Sequence, residues 1–159
     1  MKKINSNLKS LAGSHSDAAT EHQGTKDDEI WLIGDDEVTY GDYKTLEEIA
    51  KELGKTLEAM HKSGEISIEK CKVRRIDISN NNVKSIPQSI GKLEDLHKLD
   101  ISRNSIVEIP QSLKNLKKLR ELDVSGNSLV EIPEFICCFR YLVSFDASDN
   151  ALKYLPDKS

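Results

Sequence analysis

The sequence predicts an α/β solenoid built from a short motif that is repeated along residues 73–159. The motif recurs every 23 residues over four rows, without a single insertion. Every row places Asp, Ser, Asn and Pro at the same positions, as in Asp100, Ser102, Asn104 and Pro110. One row cannot bury its own apolar side chains, so the rows must stack on one another.

Each row reads as a strand followed by a return segment. Apolar and polar residues alternate in Leu99-Asp100-Ile101, as a half-buried strand requires, so the stacked rows should form a parallel sheet. Pro110 should begin the return segment, where a fixed φ is tolerated. Leu113 and Leu116 then fit one helical or 3₁₀ turn on the outer side.

An asparagine column accompanies the strands. We expect these side-chain amides to form a ladder of hydrogen bonds to backbone groups where the chain leaves each strand. The column therefore has a structural interpretation and not a catalytic one. Its members are Asn81, Asn104, Asn127 and Asn150.

The second row shows the complete pattern: Leu96, Leu99, Asp100, Ile101, Ser102, Asn104, Ile106, Ile109, Pro110, Leu113 and Leu116. This pattern resembles the leucine-rich-repeat family, in its 23-residue class written LxxLDISxNxLxxIPxxIxxLxxL. The resemblance implies an arc of about three and a half repeats with a parallel sheet on its concave face. It also implies a similarity to intracellular scaffolds of the Ras-pathway and scribble-like kinds.

The chain divides into three parts by composition. Residues 1–29 are polar and predict a flexible tail. Residues 30–72 predict an N-terminal cap, with a short strand and a turn followed by a helix over about 45–62. The repeats follow at 73–95, 96–118, 119–141 and 142–159, the last one incomplete.

The cap helix is predicted from its start signal and its apolar periodicity. Thr45 and Glu48 have the spacing of a capping box. Apolar residues then recur at three- and four-residue steps from Leu46 to Met60. Gly54 weakens the middle of the helix, and Gly64 is a plausible stop. We expect this helix to cover the edge of the first repeat strand.

The fourth row reaches Ser159 before its outer segment is complete. The strand around Phe145 to Ala147 is therefore expected to be an open edge. Such an edge favours pairing with another strand. Self-association through this edge, or truncation of a longer product, would each account for the pattern.

The concave face is the surface on which leucine-rich-repeat proteins usually bind, which makes it the candidate partner site here. Its residues are Arg75, Asp77, Lys98, Asp100, Arg103, Glu121, Asp123, Ser144, Asp146 and Asp149. With Arg74 included, the charge should run from basic in the first rows to acidic in the last rows. We expect a partner with the opposite gradient, although a merely solvated mixed surface explains the pattern equally well.

Two further expectations concern the charges on this face. Arg75 and Lys98 should neutralise Asp77 and Asp100, which lie two residues away on the same side of each strand. Repulsion along the Asp column should raise some of its pKa values. That column could bind a cation or a basic peptide, but a structural role within the repeat is favoured.

A second candidate surface is an apolar patch on the outer side of the third repeat, formed by Phe135, Cys138 and Tyr141. The second repeat has Ser112, Asn115 and Lys118 at these positions. The patch could contact a partner, a C-terminal cap or a second copy. Local packing of large side chains is the favoured alternative.

The sequence offers no parts for catalysis and none for a cofactor. It has no phosphate-binding loop, no HExxH motif and no nucleophile elbow. Three cysteines without a CxxC motif predict neither a disulfide framework nor a zinc site, and they favour a cytoplasmic location. A net charge of −4 disfavours nucleic acid, and no apolar run approaches the roughly 20 residues of a membrane span.

The function that these observations favour is a protein–protein interaction module, a scaffold or adaptor that is not an enzyme. One alternative is a secreted bacterial effector that uses its polar tail for export and its repeats to bind a host protein. Another is the substrate-recruiting fragment of a larger enzyme. The sequence does not name the partner protein.

Overall fold

The computed structural model describes residues 3–4 and 29–154 of the chain. The strands form one three-stranded and one five-stranded sheet, in the orders β1-β2-β3 and β4-β5-β6-β7-β8. The strands are β1 Lys3–Ile4, β2 Ile30–Ile33, β3 Asp36–Thr39, β4 Ile66–Glu69, β5 Lys72–Asp77, β6 Lys98–Asp100, β7 Glu121–Asp123 and β8 Ser144–Asp146. The α-helices are α1 Tyr40–Glu52 and α2 Leu57–Lys62, and 3₁₀ helices cover Gln88–Lys92, Gln111–Asn115 and Glu134–Cys138.

The repeat strands β5 to β8 pair in parallel, as the sequence predicts. Their register is one row per strand, so that Arg75, Lys98, Glu121 and Ser144 lie side by side. Between these columns lie buried positions such as Ile76, at 0% exposure. The sheet therefore presents one polar face and one apolar face, the latter turned into the solenoid.

In the first three rows the outer side is a 3₁₀ helix that begins after a proline. Pro87, Pro110 and Pro133 have φ values of −64°, −65° and −61°, which the proline ring favours. Leu113 lies in the second of these 3₁₀ helices and Leu116 directly follows it, and both are fully buried. The predicted 3₁₀ turn is confirmed, and it closes the apolar core opposite the sheet.

The asparagine ladder is confirmed as well. The side-chain amide of Asn104 donates to the carbonyl oxygens of Ile78, Ile101 and Ser102 at 2.9–3.1 Å. Its carbonyl oxygen accepts from the backbone N–H groups of Asn81 and Val83 at 3.0 Å. Asn127 and Asn150 repeat this arrangement one and two rows later. Each of these three asparagines thus ties its own row to the row before it.

The N-terminal segment begins with a hairpin, which confirms the predicted strand and turn. Strands β2 and β3 pair antiparallel across a turn at Gly34, whose φ is +60°. The Trp31 ring packs against Tyr40 and Tyr43, with ring centroids 5.4 and 4.9 Å apart. Strand β1 pairs with β2 through Lys3 and Ile4, in a region predicted as a flexible tail. The rest of that tail prediction, from residue 5 to 28, lies outside the described residues.

The predicted single helix over 45–62 is wrong in its boundaries. Helix α1 starts at Tyr40, and Thr45 lies inside it, where the Thr45 hydroxyl donates to the carbonyl oxygen of Gly41 at 3.1 Å. The capping box at Thr45 is therefore not formed. Thr56 is the true side-chain cap, because its hydroxyl accepts from the Ala59 N–H at 3.2 Å and begins α2.

Both helices end at a glycine. Gly54 has a φ of +63°, and the N–H of Lys55 donates to the carbonyl oxygen of Ala50. Gly64 repeats the arrangement with a φ of +78° and a bond from Glu65 to Met60. These bonds define Schellman motifs, which satisfy the last free carbonyl groups of a helix. Gly54 is thus a helix end, and the predicted helix consists of two helices.

The edge of the first repeat strand is covered by a strand and not by the helix. Strand β4 pairs antiparallel with β5, with Ile66 opposite Ile76. The hairpin turn at Lys70 and Cys71 has positive φ at both residues, as a tight two-residue turn requires. The expectation that the helix covers this edge is therefore wrong.

The opposite end of the sheet is exposed. Within residues 29–154, β8 pairs only with β7, and its Phe145 is 39% exposed where Leu122 of β7 is 1% exposed. Val143, directly before β8, is 81% exposed. The last described strand thus leaves apolar side chains in contact with solvent.

Candidate functional site

The polar face of the repeat sheet carries two columns of predicted partner-binding residues in exact register. One column contains Arg75, Lys98, Glu121 and Ser144, and the other contains Asp77, Asp100, Asp123 and Asp146. Neighbouring members of a column are one strand spacing apart, roughly 4.8 Å. The structure therefore assembles the predicted concave residues on one continuous surface.

The Asp column is tied into the repeat by the Ser column. One carboxylate oxygen of Asp100 accepts from the N–H and the hydroxyl of Ser102, at 3.0 and 2.7 Å. Asp77 with Ser79 and Asp123 with Ser125 make the same two bonds, and Asp146 accepts from the Ser148 N–H at 2.8 Å. These bonds fix the turn after each strand, which supports the structural interpretation of the column.

The pKa values of two residues in this column, Asp77 and Asp146, shift opposite to the expected direction. Burial alone would raise the pKa of Asp77, but hydrogen bonds from Ser79 and the Arg75 charge outweigh burial and lower it. Hydrogen bonds from Ser148 lower the pKa of Asp146. The expected rise from mutual repulsion is therefore wrong for these two residues, because local donors dominate over the neighbouring strand's charge.

The ion pairs on this face follow the prediction in one row only. Arg75 contacts Asp77 at 2.8 Å, as expected. Lys98 does not reach Asp100 as its ion-pair partner and instead contacts Glu121 on the next strand at 2.6 Å. Arg74 contacts Asp95 at 3.0 Å, before β6, so it does not join the basic end of the concave face.

Arg103 and Asp149 are two further exposed charges on this face. They occupy the same position in the second and fourth rows, with φ of +54° and +52°. Among residues 29–154 neither side chain has an oppositely charged group within ion-pair distance. The basic-to-acidic gradient is thus carried by these two residues together with Asp123 and Asp146.

The predicted outer patch is divided between two places. Phe135 is half-buried and packs edge-on against Phe139, with ring centroids 6.2 Å apart. It lines an open groove with Lys114 and Pro133, whereas Tyr141 lines another groove beside His97. Cys138 is exposed and, like Cys137, is a free cysteine.

A basic column on the lateral edge of the sheet was missed by the sequence reasoning. The N–H of His97 donates to the carbonyl oxygen of Arg74, and the N–H of Arg120 donates to that of His97, at 2.9 and 2.8 Å. The three side chains therefore lie on consecutive rows at the amino-terminal ends of the strands. Their spacing of 23 residues was the available signal.

Neither a metal cluster nor a membrane span is found in the described part of the chain. Within residues 3–4 and 29–154, no group of three or more His, Cys, Asp or Glu residues could hold a metal ion. None of the helices among these residues is long and apolar enough to cross a bilayer.

Comparison with known proteins finds a family model that matches part of the chain. Residues 71–129 match the family model described as Leucine rich repeat. No curated protein matches the sequence.

Solved structures with similar folds are leucine-rich-repeat proteins. A leucine-rich-repeat protein of Leptospira interrogans is 26% identical with a TM-score of 0.50, over 52% of this chain and 21% of that one. The BIR3–SERK2 complex of Arabidopsis thaliana gives 31% identity and a TM-score of 0.50, over 57% of this chain and 50% of that one. The PEPR1–AtPEP1 complex gives 24% identity and a TM-score of 0.58, over 72% and 18%, which shows the fold alone. This chain thus spans half or less of these three chains.

Proposed function

Because residues 71–129 form leucine-rich repeats, we propose that this protein is a protein–protein interaction module, a scaffold or adaptor, whose concave face binds a partner protein. The observation that carries the proposal is the register of charged columns across β5 to β8. A rigid sheet holds these side chains at fixed spacing, and complementary charge then sets the orientation of a partner and its association rate.

The expected partner presents acidic groups toward the second row and basic groups toward the fourth row. Arg103 offers a guanidinium that can bind a carboxylate through two hydrogen bonds. Asp149 and Asp146 are exposed carboxylates at the other end. Most of the other charges on this face are already paired within the chain. Arg103, Asp146 and Asp149 can therefore pair with a partner and set its orientation.

The proposal also draws on the similar structures. BIR3–SERK2 is a complex between two proteins, and its similar chain is 31% identical in sequence to this chain over the aligned residues. The free cysteines Cys137 and Cys138 are compatible with a cytoplasmic location, which we propose for the scaffold.

A charge swap between two equivalent positions tests the proposal. Arg103→Asp combined with Asp149→Arg reverses the gradient and conserves net charge. Both positions have a positive φ, and this conformation holds an Arg at one of them and an Asp at the other. The swap therefore introduces little new backbone strain. The control pair is Lys114→Glu with Glu134→Lys, which swaps exposed charges on the outer side.

Partners are captured from an extract with the wild-type chain and both double variants, and are quantified by mass spectrometry. We expect the concave swap to reduce the recovery of a partner by about tenfold or more, whereas the outer swap retains that partner. A tenfold loss of affinity corresponds to about 1.4 kcal/mol. Equal recovery by both variants, with melting curves like the wild type, would exclude the concave face.

A further inference from the structure

We propose a second binding site, on the lateral edge of the repeat sheet, whose ligand is an acidic segment of a partner protein. The site is an open groove of about 310 Å³ lined by His97, Lys118, Arg120 and Tyr141, here called the lateral groove. It is separate from the concave columns, because its residues precede the strands and do not belong to them.

The backbone holds the groove in place. The carbonyl oxygen of Arg120 accepts from the N–H groups of Val143 and Ser144 at 2.8 and 3.1 Å, and its own N–H donates to His97. Arg120 is thus locked between two rows while its side chain is exposed. Tyr141, 58% exposed, forms one aromatic side of the groove.

The charges at the groove are unevenly satisfied. Arg74 and Lys118 share the Asp95 carboxylate, at 3.0 and 2.6 Å. Among residues 29–154, no carboxylate lies within ion-pair distance of Arg120. Arg120 therefore offers a full set of guanidinium donors to a ligand.

The lowered pKa of His97 reflects the same excess of positive charge. Partial burial lowers the pKa of His97, and the Arg74 and Arg120 charges lower it further. Asp95 and Glu69 act in the opposite direction and do not cancel this effect. A bound carboxylate would offset the two guanidinium charges and raise the pKa of His97.

The chemistry of the groove fits an acidic peptide better than a nucleic acid. An Arg fork binds a carboxylate bidentately, and Tyr141 can pack against the aliphatic part of a peptide side chain. A phosphate backbone needs an extended run of cations. Here Glu94 and Asp95 line the adjoining groove with Lys117 and Lys118, so the cations do not form such a run.

Nuclear magnetic resonance of the isotopically labelled full chain tests this site. The probe is a capped hexaglutamate peptide, with capped hexaglutamine as the uncharged control and hexauridylate as the nucleic-acid comparison. We expect hexaglutamate to shift the His97 and Arg120 signals, to raise the His97 pKa, and to bind more weakly as salt rises. Hexaglutamine should shift neither signal.

Arg120→Ala and Lys62→Ala each remove one positive charge, and comparing them makes the test specific. Arg120→Ala should weaken hexaglutamate binding about tenfold, because it removes the guanidinium that binds a carboxylate through two hydrogen bonds. Arg120→Lys should restore part of the binding, and Lys62→Ala, at an exposed position of helix α2, should have no effect. An unchanged His97 pKa, equal effects of Arg120→Ala and Lys62→Ala, or tighter binding of hexauridylate at these residues would each overturn the proposal. None of these results depends on the concave face.

Discussion

At the scale of single residues, the asparagine ladder carries much of the cohesion between rows. Asn104 makes five hydrogen bonds to backbone groups of two rows. We expect Asn104→Ala to destabilise the fold by roughly 1–3 kcal/mol, since it leaves backbone donors and acceptors without partners away from water. Urea denaturation monitored by circular dichroism measures this loss.

Asn81 provides the matched control for that substitution. It occupies the same column, but its side-chain amide makes a single bond, to the carbonyl oxygen of Ser79 at 2.8 Å. Asn81→Ala should therefore cost clearly less than Asn104→Ala. Equal losses at the two positions would contradict a role for the inter-row bonds.

Residue patterns predict these columns well because each row repeats the same local environment. The failures occur where one residue has a choice of partners. Lys98 was expected to pair with Asp100 and pairs with Glu121, because the next strand brings a second carboxylate within reach. Gly91 gave no signal at all, yet a Cβ there would lie 2.4 Å from the Ser112 carbonyl oxygen of the next row.

At the scale of elements, a buried carboxylate joins helix α1 to the first repeat strand. Asp42 is 5% exposed and accepts from the Val73 N–H at 3.0 Å. Burial is the largest influence on this group and raises its pKa above the ordinary 3.8, despite that hydrogen bond and the nearby Lys72. The raised pKa means that the folded state takes up a proton before the unfolded state does.

The contribution of Asp42 to stability therefore grows as pH falls through its raised folded pKa toward 3.8. Asp42→Asn keeps an acceptor for the Val73 N–H and removes the buried charge. We expect the free energy of unfolding of this variant to be most favourable, relative to wild type, at pH 7. That advantage should shrink as the pH is lowered toward 4. Urea denaturation of both proteins across this range measures it.

Asp95 provides the opposite case. Its bond to Lys118 is the largest influence and, with Arg74, lowers its pKa below 3.8 despite partial burial. The stabilising contribution of Asp95 is present above pH 3.8, the ordinary pKa of the group. It is lost as the pH falls through the lowered pKa of the folded state. Asp95→Asn should therefore be destabilising at pH 7, with a deficit that shrinks in acid. The same pH trend for both variants would contradict these assignments.

The boundaries of the N-terminal elements were less predictable than the repeats. The spacing of apolar residues runs continuously from Leu46 to Met60, so it does not show the break at Gly54. That break depends on a glycine with positive φ. Strand β4 was missed because Ile66–Glu69 is short, and its pairing with β5 is a long-range contact that periodicity does not report.

At the scale of the whole molecule, we propose that the edge of β8 that is unpaired within residues 29–154 pairs with a second copy. An unpaired strand offers a free row of backbone donors and acceptors. An antiparallel pair about Phe145 would place Ser144 opposite Asp146 of the other copy, which permits a hydrogen bond at each side. Val143, 81% exposed, would then be partly buried.

Light scattering over a concentration series tests this pairing. We expect the molar mass of the chain to rise with concentration toward that of a dimer. Val143→Lys should suppress the rise, because an inserted charge blocks edge pairing, whereas Val107→Lys, at an exposed position outside the strands, should not. A monomer at all concentrations would exclude the pairing.

The central claim is that the concave face of the repeats binds a protein, and site-specific photo-crosslinking tests it most directly. A benzophenone amino acid is placed at Lys98, in the middle of the concave column, or at Lys114, on the outer side. After irradiation in cells that produce the protein, we expect a crosslinked partner from position 98 and none from position 114. A partner captured only from position 114 would contradict the claim.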